Sequence, residues 1–145
     1  MRMEDARELA VRLMREHNLL PKWTFEFDRS KVRFGKCNYA KKTISLSRYL
    51  AELNSENEVR ETILHEIAHA IAPRGAGHGD KWRAVARSIG CTAARCYGED
   101  VVRPTPRFKG TCPGCRREIF RHRRTKIACG RCTRVYDARF AFVWT

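Results

Sequence analysis

Hydrophobic positions recur with a helical period in several stretches of the chain. In residues 4–17 the apolar side chains stand three or four positions apart, which predicts an amphipathic helix. Another helix is predicted from Gly79-Asp80, which suits an N-terminal cap, to Gly90, which suits a C-terminal stop. Residues 91–107 show no clear period, so we predict a connector there.

The longest helical stripe predicts a helix over residues 56–72. Ser55 and Glu58 have the spacing of a capping box, which marks the start of this helix, and Pro73 stops it. The apolar positions expected to face the core are Val59, Ile63, Ile67 and Ile71.

Three short stretches before this helix alternate between apolar and polar residues, as strands do. They are residues 23–27, 32–34 and 43–47, and residues 28–31 separate the first two as a turn. We expect a small antiparallel sheet, followed by a short helical piece near 47–53. The predicted fold class is α+β, with this sheet packed on helices.

The long helix carries the sequence His65-Glu66-Ile67-Ala68-His69. Two histidines four residues apart lie one turn apart on the same face, so both imidazoles can reach one metal ion. Zinc lowers the pKa of its water to about 7, and a nearby carboxylate completes the deprotonation. We therefore predict a catalytic zinc bound by His65 and His69, with Glu66 as the general base. The alternative is a chance match on a solvated helix.

A third ligand is expected from the segment that follows. A catalytic zinc keeps three protein ligands and one open position. After Pro73 a glycine-rich loop leads directly to His78, which is the candidate for the third ligand. Metzincin spacing is excluded, because it requires glycine and histidine where this chain has Ala72 and Gly75.

Four of the seven cysteines have the spacing of a second metal site. Two C-x-x-C pairs, each with a glycine in the turn, bring four thiolates to the corners of a tetrahedron, as in a closed structural zinc site. The predicted ligands are Cys112, Cys115, Cys129 and Cys132. Alternation in residues 116–128 and 134–144 predicts the strands of a zinc ribbon. The cysteines without a metal partner, expected to be small buried hydrophobic residues, are Cys37, Cys91 and Cys96.

Positive charge is concentrated in the same C-terminal part. The chain has a net charge of +14, and from Arg103 to Arg139 twelve Lys or Arg stand against two acids, a surplus of ten. Aromatic residues interleave with these charges, a mixture that suits phosphate contacts and base stacking. The residues predicted to bind nucleic acid are Arg116, Arg117, Arg121, Arg123, Arg124 and Lys126.

Composition also limits the cellular setting. No apolar run approaches the roughly 18 residues that span a bilayer, and the charged N-terminus has no apolar segment typical of a secretory signal. An odd number of cysteines with metal spacing indicates a reducing compartment rather than a disulfide framework. We expect a monomer without a membrane partner.

Taken together, these motifs resemble the SprT-like metalloprotease family, which includes the Spartan DNA–protein crosslink proteases. The resemblance covers roughly residues 3–145. It is carried by four segments, namely Gly35-Lys36-Cys37-Asn38-Tyr39 with the following strand, the histidine motif of the long helix, His78-Gly79-Asp80-Lys81-Trp82, and the four-cysteine ribbon. The larger Spartan enzymes have a partner-recruiting tail after the ribbon, so a compact prokaryotic, archaeal or viral version is expected here.

The resemblance implies a zincin-type metalloprotease core over residues 1–102 and a zinc ribbon over 103–145 that packs on it. It further implies two zinc ions per chain, one catalytic and one structural, and cleavage of proteins stimulated by DNA. Tyr39 becomes a candidate for stabilising the oxyanion, because the resemblance places its loop near the site.

Three functions compete at this point. The first is a DNA-dependent zinc metalloprotease that cleaves proteins bound or crosslinked to single-stranded DNA, or to duplex DNA with single-stranded character. The second is a nucleic-acid-binding regulator with an inactive metal centre, and the third is a general zinc peptidase whose ribbon only braces the fold. The expected location is the cytoplasm or nucleoid of a prokaryote, an archaeon or a virus-infected host, or the nucleus of a eukaryote.

Overall fold

The computed structural model describes residues 1–93 and 101–145 as two compact units. The first unit is Met1–Pro104 and the second is Thr105–Thr145. Part of the predicted connector, together with Cys96, lies outside the described residues. The two units are taken separately below.

In the described part of the first unit, four helices form where the hydrophobic pattern predicts them. They are α1 (Met3–Glu16), α2 (Arg48–Leu53), α3 (Glu56–Ile71) and α4 (Asp80–Ser88). At the start of α3 the Ser55 hydroxyl accepts a hydrogen bond from the backbone N–H of Glu58. Within the described residues, no helix has both the length and the apolar character needed to cross a bilayer.

The first unit also contains a three-stranded sheet of mixed direction. Its strands are β1 (Thr24–Asp28), β2 (Gly35–Asn38) and β3 (Thr43–Ser47), in the order β1-β3-β2. The expected antiparallel pairing holds for β2 with β3 and is wrong for β1, which runs parallel to β3. A tight turn makes β2 and β3 a hairpin, so β2 occupies one edge of β3 and leaves β1 to pair on the other.

The second strand begins three residues later than predicted. The alternation at 32–34 predicted a strand there, but Val32 is 68% exposed and the Ser30 hydroxyl accepts hydrogen bonds from the N–H groups of Val32 and Arg33. These bonds shape the segment as a loop. Phe34 then enters the core, and the strand follows at Gly35.

The core of the first unit lies between α1, β3 and α3. All five residues of β3 are buried, as is the inner face of α1. In α3 the predicted stripe is fully buried at Val59, Ile63 and Ile67, but Ile71 is 41% exposed. The prediction for Ile71 is wrong because α3 ends at this residue, beyond the packed surface. Burial of α3 along most of its length fixes the helix that carries the histidine motif.

The second unit is a small antiparallel sheet around the cysteines. Its strands are β4 (Phe108–Thr111), β5 (Glu118–Arg121) and β6 (Val143–Trp144), in the order β5-β4-β6. Strand β5 lies in the predicted stretch, whereas β4 was not predicted. The tail forms a strand only at its end, after a short 3₁₀ turn at Ala138–Phe140. The core of the second unit consists of Cys112, Ile119, Cys129 and Phe142.

Candidate active site and cysteine cluster

Three histidines of the first unit converge on one point. His65 and His69 project from successive turns of α3, and His78 comes from the loop before α4. The Nε2 atom of His78 lies 3.0 Å from the Nε2 atom of His65 and 3.0 Å from that of His69. His65 is buried and the other two are partly exposed, so the cluster lies at a surface rather than deep in the core.

The loop between α3 and α4 brings His78 back to the helix. Helix α3 is capped at Ala72, and the Ala76 N–H donates to the carbonyl of Pro73 at 3.0 Å. Gly75 and Gly77 have φ values of +86° and +55°, in the left-handed region that glycine adopts at little cost. The glycine-rich composition of this loop therefore has a specific role, which is to reverse the chain so that His78 meets α3.

The Trp82 ring packs against all three imidazoles. Trp82 is completely buried, and its ring centroid lies 4.7 to 5.2 Å from the centroids of the three histidine rings. The ring is nearly parallel to that of His69 and perpendicular to that of His78. Because Trp82 stands on the first turns of α4, the packing of that helix also orients the histidine cluster.

The donor set fits a zinc ion. Burial and the neighbouring His78 lower the pKa of His69 to about 4, so this imidazole is neutral at neutral pH. A neutral imidazole is the form that binds a metal. Three imidazole nitrogens with an open side are the ligand set of a catalytic zinc site. The predicted residues His65, His69 and His78 are thus brought together as one candidate metal site.

Glu66 lies against the backbone of the edge strand β2. The residue is 4% exposed, and a Cβ atom at Gly35 would lie 3.0 Å from the Glu66 Cγ atom and 3.1 Å from its Oε1 atom. The same Cβ would lie 2.9 Å from the Cγ2 atom of Thr62. Only glycine permits this approach between β2 and α3. We did not predict this contact, although an isolated glycine at the start of a strand often marks such an approach.

Tyr39 lies beside the site, but its hydroxyl is engaged. The hydroxyl donates to the backbone carbonyl of His69 at 2.8 Å, and the Arg74 guanidinium stands 5.6 Å from the ring centroid. In this conformation the proton that would stabilise an oxyanion is directed at α3. Burial, followed by the proximity of Cys37 and Glu66, raises the pKa of the Tyr39 hydroxyl. Tyr39 therefore remains a donor at neutral pH.

Beside His78 the surface opens into a cavity of about 530 Å³. His78, Gly79, Arg83 and Ala93 line it. This opening gives the histidine cluster an approach from solvent, which a metal site that acts on a substrate requires and a closed structural site does not.

The four cysteines of the second unit form the other candidate metal site. The Sγ atoms of Cys112 and Cys132 are 3.8 Å apart, those of Cys115 and Cys129 are 3.7 Å apart, and all four lie within 4.8 Å of one another. A Cβ atom at Gly114 would come within 2.8 Å of the Phe140 ring, so the first turn requires glycine. The spacing fits a closed tetrahedral site.

The acidity of the thiols differs within the cluster. Burial opposes ionisation of Cys129, but hydrogen bonds from the Arg131 backbone and from the Cys115 thiol lower its pKa to about 7. Burial and the other thiols raise the pKa of Cys132 to about 12. Without a cation only part of the cluster ionises, and a bound metal stabilises the remaining thiolates.

The residues predicted to bind nucleic acid are all exposed on the second unit. The two acids of this unit are engaged with other cations, Glu118 with Lys109 at 3.0 Å and Asp137 with Arg139 at 2.8 Å. Of the interleaved aromatics, Phe120 and Tyr136 are exposed, whereas Phe142 belongs to the core. The surface therefore combines unneutralised positive charge with accessible rings.

A helix that presents two histidines and a glutamate to a small sheet, with a third histidine from the next loop, is the architecture of zincin-type metallopeptidases. The chain belongs to the SprT-like family, whose model matches residues 4–103. The fold is also similar to that of the metallopeptidase zymogen jannalysin of Methanocaldococcus jannaschii. That likeness has a TM-score of 0.51 at 22% identity, over 60% of this chain and 83% of the other.

Bacterial relatives extend the comparison. The chain is 28% identical over 123 residues to Protein SprT of Pseudomonas putida strain KT2440, covering 72% of this chain and 75% of the relative. It is 31% identical over 93 residues to Protein SprT of Pseudomonas putida strain GB-1, covering 57% of each. The comparisons confirm the predicted SprT-like family.

The contact between Gly35 and Glu66 leads to a prediction. In Gly35→Ala the new methyl group displaces the carboxylate, and a misplacement of about 1 Å costs up to roughly 100-fold in rate. We expect kcat for peptide cleavage to fall by about tenfold or more, with the bound metal retained. Steady-state kinetics measures kcat, and elemental analysis of the same preparation measures the bound metal.

Two further variants distinguish a loss of kcat caused by displacement of Glu66 from one caused by reduced stability. Gly130→Ala is the matched control, since a Cβ at Gly130 meets nothing within 4 Å. Adding Thr62→Ser to Gly35→Ala removes the methyl contact at 2.9 Å and should restore the melting temperature without restoring kcat. Recovery of kcat together with stability would contradict a positioning role for Gly35.

Proposed function

We propose that this protein is a DNA-dependent zinc metalloprotease that cleaves proteins bound or crosslinked to DNA. The observation that carries the protease part is the convergence of three imidazoles at a site open to solvent beside His78, on a helix where the buried Glu66 directly follows His65 in sequence. A purely structural metal site has no use for a buried carboxylate, which costs free energy to desolvate. This disfavours the regulator with an inactive centre.

The chain's own residues supply the positions for peptide hydrolysis. His65, His69 and His78 would hold the zinc ion, which when bound lowers the pKa of water to about 7. Glu66 accepts the proton of the attacking water and then passes it to the leaving amine, as a general base and acid. Its packing against Gly35 fixes the carboxylate for both transfers.

Substrate binding is assigned to the edge strand β2. Strand β3 has β1 on one side and β2 on the other, so both of its edges are already paired. Among the described residues, β2 lies at one edge of the sheet beside β3, and it packs on α3, where Gly35 approaches Glu66. Pairing through the backbone recognises main chain more than side chains, which suits an enzyme with many protein substrates.

DNA binding is assigned to the exposed face of the second unit. Six cations without an acidic partner in their own unit would contact phosphates, and Phe120 and Tyr136 would stack on unpaired bases. Specificity then comes from sharing one DNA molecule with the substrate, and the working location is wherever that DNA lies. A general peptidase with a purely structural ribbon gives no reason for this concentration of charge.

Metal content provides the first test. We predict two zinc ions per chain, with the histidine site exchanging faster than the closed thiolate site. Elemental analysis should show that His65→Ala retains one zinc and that Cys112→Ser loses the other. One zinc in the parent protein, or two in His65→Ala, would contradict the assignment.

The general base provides the second test. Glu66→Gln keeps the shape of the side chain but cannot accept a proton, so proteolysis should fall by at least about 100-fold. Zinc content and DNA affinity should stay as in the parent protein. The assay is cleavage of a DNA-binding protein with and without DNA, and substantial remaining cleavage would assign the base to another residue.

The ribbon provides the third test. Each phosphate contact on single-stranded DNA adds about 0.7 to the salt slope of affinity, so replacing four cations by Ala should flatten the slope by up to about 2.8. The variant carries Arg121→Ala, Arg123→Ala, Arg124→Ala and Lys126→Ala. It should lose DNA-stimulated cleavage but keep both zinc ions and any slow cleavage without DNA. An unchanged slope would place the DNA elsewhere, and a parent enzyme indifferent to DNA would favour the general peptidase.

A further inference from the structure

A second group of cations lies on the first unit, around the Tyr49 ring. The Lys31 ammonium stands 5.3 Å from the ring centroid and the Arg48 guanidinium stands 5.7 Å from it. Lys31 comes from the loop between β1 and β2, whereas Arg48 and Tyr49 begin α2. Both cations are exposed, and Tyr49 is half-buried. Two separate segments therefore place like charges beside one aromatic ring.

The loop that carries Lys31 is held in position. The Ser30 N–H donates to Asp28 at 2.9 Å, and the Ser30 hydroxyl accepts from the Arg33 N–H at 2.9 Å. The Ser47 hydroxyl donates to the Ser30 carbonyl, which ties the loop to the end of β3. A loop fixed by these bonds presents its cations with little further loss of conformational entropy on binding.

The charge of this cluster is not neutralised locally. Asp28 lies 3.6 Å from Arg33 and also accepts a hydrogen bond from Ser45. Within the part of the chain that the structure describes, neither Lys31 nor Arg48 has a carboxylate within 4.0 Å. Two cations held near one ring repel each other. An anion that bridges them is therefore attracted by both and relieves their repulsion.

We propose that Lys31, Arg48 and Tyr49 form a second nucleic-acid contact, which binds the phosphate backbone of single-stranded DNA through the two cations. The proposal rests on the proposed function and adds a site on the protease unit itself, separate from the ribbon. The neighbouring Val32 side chain, 68% exposed, offers an unpaired base an apolar surface. Val32 directly follows Lys31 in the chain, and a single-stranded nucleic acid offers both phosphates for the cations and unpaired bases for apolar surface beside them.

The test compares two double variants of the chain of residues 1–145. Lys31→Ala with Arg48→Ala removes both proposed phosphate contacts. Lys22→Ala with Arg12→Ala removes the same two residue types from exposed positions elsewhere on the first unit, so the net charge of the two variants is equal. Affinity for a fluorescent single-stranded oligonucleotide is measured between about 50 and 200 mM salt, and affinity for polyglutamate is measured in parallel.

We expect the salt slope to fall by about 1.4 in Lys31→Ala/Arg48→Ala, which corresponds to a loss of roughly 25-fold in affinity at 0.1 M salt. The control variant should keep the slope of the parent protein. If the two double variants bind the oligonucleotide equally, the inference is wrong and the ribbon assignment stands. If polyglutamate affinity falls as much as oligonucleotide affinity, the cluster is a general polyanion surface and the inference is wrong. If the parent protein binds no oligonucleotide, the proposed DNA dependence fails together with it.

Discussion

Two histidines on one helix fix two corners of the candidate metal site, and the third corner comes from the loop that follows this helix. Helix geometry alone places His65 and His69 one turn apart. The third imidazole needs a chain reversal at Gly75 and Gly77, and Trp82 of the next helix contacts all three rings. The site is therefore only as well ordered as the packing of α3 against α4.

The close approach of β2 to α3 concerns the other part of the candidate site, the Glu66 side chain. Glu66 is held between its own helix and the backbone of β2. A proposed general base needs this kind of support, because proton transfer requires a carboxylate placed within about 0.5 Å. Strand β3 is buried on both faces, and its pairing with β2 fixes the distance between β2 and the helix. Sheet, helix and Glu66 thus form one packed arrangement, in which the absence of a side chain at Gly35 allows β2 to approach Glu66.

Local patterns predicted most of the site, and nonlocal contacts explain the rest. The i, i+4 histidines, the C-x-x-C pairs and the capping box depend on residues close in sequence, so their geometry follows from spacing. The parallel pairing of β1 with β3 depends on which edge of β3 the hairpin occupies, and local alternation carries no information about that choice. Val32 alternates like a strand residue but is drawn into a loop by Ser30.

The edge strand β2 has a consequence for the behaviour of the protein in concentrated solution. A strand at the edge of a sheet can pair with other copies of the chain as well as with the extended peptide proposed as its substrate. Strand β2 is only four residues long, and the exposed Lys36 lies in its middle. Shortness and a lysine are the means by which natural edge strands resist aggregation. The strand proposed to bind extended peptides therefore has features that protect it against self-association.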